Sequence, residues 1–180
     1  MISISILDPD GLVVRHLISR SRAPRGRRAW VWDGRDDVGE VVSDEAYSFK
    51  LDIGSRTAYF PASERQQEIS IERAEFDAHR GLISYELPRA SRVRITASDG
   101  VQGGISRVIV DWQPRTAGSI LEPWNGFDES GQINILSSRE SRISIEARAL
   151  SKNPLIALGN RRLNFQDRKA KRAGESLLTK

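Results

Sequence analysis

Cysteine is absent from this sequence of 180 residues. That absence excludes disulfide frameworks, thiolate zinc sites, iron–sulfur clusters and cysteine nucleophiles together. Histidine is nearly as scarce, with His16 and His79 too few for a multi-histidine metal centre. No apolar run approaches the ~20 residues that a membrane helix needs. The start, from Met1 to Gly11, lacks the basic flank and the longer apolar stretch of a cleavable signal peptide. A chain of this length accommodates one large domain or two small ones, and buries a core without metal or crosslinks. The expectation is a soluble protein with no metal centre and no cofactor.

Charge is informative once it is located. The net charge is +4. Residues 160–180 hold Arg161, Arg162, Arg168, Lys169, Lys171, Arg172 and Lys180 against Asp167 and Glu175, so residues 1–159 carry a slight negative excess. A polyanion-binding domain is expected to carry its charge on a folded face. Here it is concentrated in a tail, and nucleic acid is not the expected partner.

Period-2 alternation dominates what is present. Ile2, Ile4 and Ile6 alternate with other residues, Asp8-Pro9-Asp10-Gly11 supplies a tight turn, and Val13 to Leu17 resumes a strand. Tyr47, Phe49, Leu51 and Ile53 follow the same rule, as do Ile69 and Ile71, then Ile83, Tyr85 and Leu87, Val93 and Ile95, and Ile143 and Ile145. Before residue 150 no stretch recurs at the three- and four-residue spacing of a helix. The fold class read from this pattern is all-β.

The chain also repeats itself. Gly26 and the string Trp32-Asp33-Gly34-Arg35-Asp36-Asp37-Val38-Gly39 match Gly118 and Trp124-Asn125-Gly126-Phe127-Asp128-Glu129-Ser130-Gly131 at an offset of 92. Ile4, Ile6 and Asp10-Gly11 match Val93, Ile95 and Asp99-Gly100 at 89, with an insertion around Gly103-Gly104. Tyr47 and Phe49 match Ile143 and Ile145 at 96. Insertions confined to loops between matched strands are what a duplicated β domain shows.

In each copy a strand, a turn ending Asp-Gly and a second strand precede a Gly and the Trp-(Asp/Asn)-Gly-x-Asp-acidic-x-Gly turn. This order resembles the immunoglobulin-like domain of the flagellar hook-capping protein, across roughly residues 1–150. The first copy is the stronger match; Asn125, Phe127 and Ser130 depart from the pattern. The hook-capping protein's export and anchoring region has no counterpart here. The resemblance implies two tandem immunoglobulin-like (fibronectin III-like) β-sandwiches, at residues 1–72 and 73–159, with a basic irregular tail at 160–180. Gly81 to Pro88 look like the family's first strand in the second copy, and the first copy lacks that strand. A sandwich lacking a strand exposes unpaired backbone groups. The gap is expected to be filled by further residues or by a strand from a partner chain.

The singled-out residues carry no visible chemistry of catalysis. Asp33, Asp36 and Asp37 allow a calcium cage on paper, but turn chemistry accounts for these residue types. On that reading Trp32, Asp33, Gly34, Asp36 and Gly39, with Trp124, Asn125, Gly126, Asp128 and Gly131, form structural turns. His16 and His79 have no Gly-x-Ser-x-Gly elbow to serve. Gly103-Gly104 lacks the lysine and helix of a phosphate loop. Trp30 and Trp112 have no aromatic counterpart in the other copy, and either is a partner contact if exposed. In the tail, Leu163 and Phe165 are candidate anchors of a docking arm. Arg161, Arg162, Arg168, Lys169, Lys171 and Arg172 would steer that arm to an acidic protein partner.

The function expected is that of a non-catalytic structural or accessory subunit that scaffolds or caps a larger periplasmic or extracellular assembly. Its partners would be the other protein subunits. The rival readings are a flagellar hook-cap scaffold, an accessory subunit of an extracytoplasmic enzyme complex, and a carbohydrate-binding module with exposed coplanar tryptophans. An enzyme would need a concave site.

Overall fold

Alternation places Ile2, Ile4 and Ile6 on one face of a strand, and all three are buried. The structure, a computed structural model, describes residues 1–22, 25–63, 67–100, 105–152 and 154–160. The strands are β1 (Ile2–Leu7), β2 (Val13–Ser21), β3 (Glu45–Ile53), β4 (Arg56–Phe60), β5 (Glu68–Ile69), β6 (Glu72–Asp77), β7 (Leu82–Leu87), β8 (Ser91–Ser98), β9 (Arg107–Arg115), β10 (Gly118–Pro123), β11 (Arg142–Ala149) and β12 (Leu155–Ala157). A single 3-10 turn, Ile135–Ser137, is capped by the Asn134 side chain, which accepts from the Leu136 N–H. The chain is all-β, with several antiparallel sheets, an arrangement consistent with a β-sandwich.

The chain divides into two compact units. Among the described residues, one comprises 1–63 together with 151–160, and the other 67–150. These boundaries differ from those expected at 72 and 159. Glu68 and Ile69 pair with Arg148 and Ala147 of β11, so they belong to the second unit. Leu155, Ile156 and Ala157 pair with Tyr47, Ala46 and Glu45 of β3, returning the chain to the first unit. A three-residue strand whose partner lies a hundred residues away leaves no periodic mark in the sequence.

Within each unit the repeat holds at the level of pairing. In the first, β1 lies between β2 and β3, with Ile4 opposite Leu51 and Ile6 opposite Phe49. In the second, β8 lies between β9 and β11, with Val93 opposite Ala147 and Ile95 opposite Ile145. Both edge strands carry a bulge at matching positions, which aligns Ile4 with Ile95 and Ile6 with Ala97, two residues from the offset of 89 expected from the sequence. Ser19 and Arg20 stand against Ser3 between the pairs Ile4–Ile18 and Ile2–Ser21. Asp111 and Trp112 stand against Arg94 between Ile95–Val110 and Val93–Gln113. The second residue of each bulge is left-handed, with φ 43° at Arg20 and 46° at Trp112. Non-glycine residues adopt that region rarely, so its recurrence marks a built feature of the fold.

The units differ in what covers their central sheets. In the second unit, the sheet β5-β11-β8-β9 shares one core with the sheet β10-β7-β6. Ile83, Tyr85 and Leu87 of β7 are buried with Val93, Ile95, Ala97, Val110, Trp124, Ile135 and Ala147. The first unit has one five-stranded sheet, in which β4 and β12 both pair with β3, and no second sheet among the described residues. Its buried cluster is smaller, with Ile6, Val14, Val42 and Tyr47 at the centre and Trp32, Phe49 and Leu155 packed against it.

One ion pair lies inside the second unit. Arg115, at the end of β9, donates from Nε to Glu122 of β10, and the two side chains are 11% and 4% exposed. The Tyr85 hydroxyl donates to the same carboxylate at 3.4 Å. Burial, then the neighbouring Glu122 charge, push the phenol above its ordinary range. Removing one partner of such a pair leaves an uncompensated buried charge. Glu122→Ala is therefore expected to cost about 3–5 kcal/mol in urea unfolding. The paired change Arg115→Met with Glu122→Leu is expected to recover most of that loss, since well-packed apolar replacements are commonly neutral or better.

Candidate functional site

The duplicated loops follow one hydrogen-bond scheme. The Trp32 indole donates to the Arg35 carbonyl at 2.8 Å, and the Trp124 indole to the Phe127 carbonyl at 3.0 Å. Asp33 Oδ1 accepts the Arg35 N–H, and Asn125 Oδ1 accepts the Phe127 N–H, each at 3.1 Å. A single acceptor oxygen is used in this bond, which is why asparagine stands in for aspartate in the second copy. Asp36 Oδ1 accepts from Val38 and Glu40, and Asp128 Oδ1 from Gln132 and Ile133. Gly34 and Gly126 are left-handed, at φ 73° and 85°, and their carbonyls accept from Val42 and Ile135 to close the loops. Gly39 and Gly131 are also left-handed and donate to the Asp36 and Asp128 carbonyls.

Each loop is pinned to its neighbouring strand by a device that sequence reasoning missed. The Asp37 N–H donates to the Val14 carbonyl, and the Glu129 N–H to the Ser106 carbonyl. Arg15 Nη1 donates to the Asp36 carbonyl at 2.7 Å, and Arg107 Nη1 to the Asp128 carbonyl at 3.3 Å. Arg15 and Arg107 lie 92 positions apart, the offset of the loops themselves, and that spacing was the available signal. Among the described residues, no group of three or more His, Asp or Glu is placed to hold a metal ion.

His16 Nδ1 lies 2.6 Å from Asp37 Oδ2, and the His16 N–H donates to Asp37 Oδ1 at 2.8 Å. The pair is solvent-facing, with side chains 56% and 45% exposed. His79 belongs to the other unit, where its N–H donates to Asp77 in the turn between β6 and β7. The arrangement fastens a loop to a strand.

A hollow lies on the first unit's sheet, walled by Ile4, Ile6, Leu17, Trp30, Trp32, Phe49, Leu51 and Leu155, with a volume of about 210 Å³. Its walls are almost wholly apolar. Trp32 packs edge-on to Tyr47, at 5.0 Å between ring centroids. Trp30 stands at the lip, 43% exposed. The other unmatched tryptophan, Trp112, is half-buried: the Arg148 guanidinium lies 3.9 Å from its ring centroid, and Arg92 donates to its carbonyl. Arg92 and Arg148 face each other across β8 and β11, and the ring accommodates this like-charged pair. The proposed tail contacts Arg161, Arg162, Leu163, Phe165, Arg168, Lys169, Lys171 and Arg172 lie outside the described residues.

No known protein family, no curated protein and no solved structure matches the chain.

The loop carboxylates give the fold a pH dependence. The His16 N–H, followed by its imidazole, holds Asp37 below the ordinary value of 3.8. The Ser130 hydroxyl and the Ile133 and Gln132 N–H groups do the same for Asp128. Carboxylates with depressed folded values stabilise the fold above the ordinary value, and that contribution disappears as the pH falls through the folded value. Thermal melts of Asp128→Asn are therefore expected to show lower stability than the parent at neutral pH. The gap should narrow on acidification below pH 3.8. An undiminished gap in acid would assign the effect to packing.

Proposed function

We propose that the chain is a non-catalytic structural or accessory subunit that joins a larger assembly through the open face of its first unit. On this reading it consists of two tandem immunoglobulin-like β-sandwiches, the first showing a single sheet among the described residues. The supporting observation is the apolar hollow, whose lip carries an exposed tryptophan in one unit while the matching face is fully covered in the other. Apolar surface of this kind, gathered in one place, marks an interaction site more often than scattered exposed residues do. The resemblance to the hook-capping protein's immunoglobulin-like domain supports the same reading and carries with it a periplasmic or extracellular location. Fold-level likeness supplies the scaffold role, and the open face supplies the means of attachment.

The test is native mass spectrometry of the protein purified from its source at low salt. Defined complexes with other subunits are expected. A chain that emerges alone, with no mass beyond its own at any concentration, would remove the assembly reading.

A further inference from the structure

We propose that the first unit takes up an extended, acidic segment of another protein along residues 26–31, in the place that β7 holds in the second unit. This rests on the assembly reading above and names the kind of partner. In the second unit β7 does two things. Its backbone pairs with β10 from Gly118 opposite Leu87 to Pro123 opposite Leu82. Its alternate side chains Ile83, Tyr85 and Leu87 fill the core beside Val93, Ile95, Ala147, Trp124 and Ile145.

Among the described residues, the first unit holds counterparts of the central sheet and its loop but none of β6 and β7. Residues 26–31 correspond to β10 at the offset of 92, and Gly26 has nearly the backbone angle of Gly118, φ 100° against 106°. Yet 26–31 form no strand. The hollow is walled by Ile4, Ile6, Leu51, Phe49 and Trp32, which stand where Ile95, Ala97, Ile145, Ile143 and Trp124 stand in the second unit's core. An acceptor edge and an apolar floor are thus present together, which is the arrangement of strand addition.

The occupant's chemistry follows from the walls. It runs antiparallel to 26–31 over about six residues, the length of β10, with large apolar side chains at alternate positions. Trp30 stands where Glu122 stands in the second unit, so the residue in Tyr85's place needs no hydroxyl and is apolar. Between His16 and Asp33 the chain carries Arg20, Arg22, Arg25, Arg27 and Arg28 with no acidic residue, and all five arginines are exposed. An occupant with an acidic residue opposite Arg27 and a net negative charge complements them. β7 itself carries one acidic residue, Glu86, opposite Ser119 of β10, the position that Arg27 holds in the first unit. In a second copy that strand is already committed to its own core, which favours a different chain as donor.

The probe is a synthetic peptide with the sequence of residues 72–88, added to the full-length protein and followed by calorimetry and amide exchange. Saturable binding is expected, with slowed exchange at 26–31. Serine at the positions of Ile83, Tyr85 and Leu87 in the peptide should abolish it. Trp30→Asp and the triple change Arg25→Glu, Arg27→Glu, Arg28→Glu in the protein are each expected to weaken it about tenfold or more. Unchanged exchange at 26–31 with peptide in excess overturns the proposal. A dimer that protects 26–31 without peptide, and is lost in Trp30→Asp, overturns it in favour of a second copy. Complexes from the source in which 26–31 still exchange freely would leave the assembly reading standing and the strand proposal refuted.

Discussion

The pairing of Leu82–Leu87 with Gly118–Pro123 is the interaction that separates the two halves of this molecule. A strand's backbone groups need a neighbour, and a single layer of sheet needs something to cover its apolar side. Where β7 is present, the segment after Gly118 is a strand, the second sheet exists, and Ile95 and Val93 are wholly buried. Where the described residues hold no counterpart, the matching segment after Gly26 has no strand character, and Trp30 and Trp32 border a hollow on a floor whose Ile4 and Ile6 are themselves buried. Local sequence differs too, since Gly26-Arg27-Arg28-Ala29-Trp30-Val31 shares only its glycine with Gly118-Ser119-Ile120-Leu121-Glu122-Pro123.

The all-β class was legible because alternation marks each strand. The match of the central strands, however, lies two residues from the expected one, because alternating apolar residues look alike at any even shift. The loop residues were legible as turn formers, and their hydrogen bonds are local, spanning two to four positions in most cases. Other features left no local trace. Strand β12 depends on a partner far away in the chain, so its segment was assigned to the wrong unit. The bulges place arginine in one copy and tryptophan in the other at the same left-handed position, and neither residue type signals that conformation. Arg15 and Arg107 act through carbonyls of loops more than twenty positions away, and an isolated arginine in a strand reads as a solvated charge.

The two halves share one loop scheme but differ in chemistry. The position of Glu122 anchors a buried network with Arg115 and Tyr85, which specifies one geometry by hydrogen bonds. Its counterpart Trp30 makes no such demand. An apolar lip tolerates a range of side chains where a charged pocket would reject all but one, because mismatched apolar contacts cost far less than an unsatisfied buried charge.

The bulges at Arg20 and Trp112 have a consequence for how the protein behaves when crowded. They lie on β2 and β9, the outermost strands of their sheets. A flat outermost strand is a template on which further chains add without limit, as in fibrils. A two-for-one kink there sharpens the twist and breaks the hydrogen-bond spacing, so another straight strand cannot lie along it. Open-ended polymerisation through these edges is closed off.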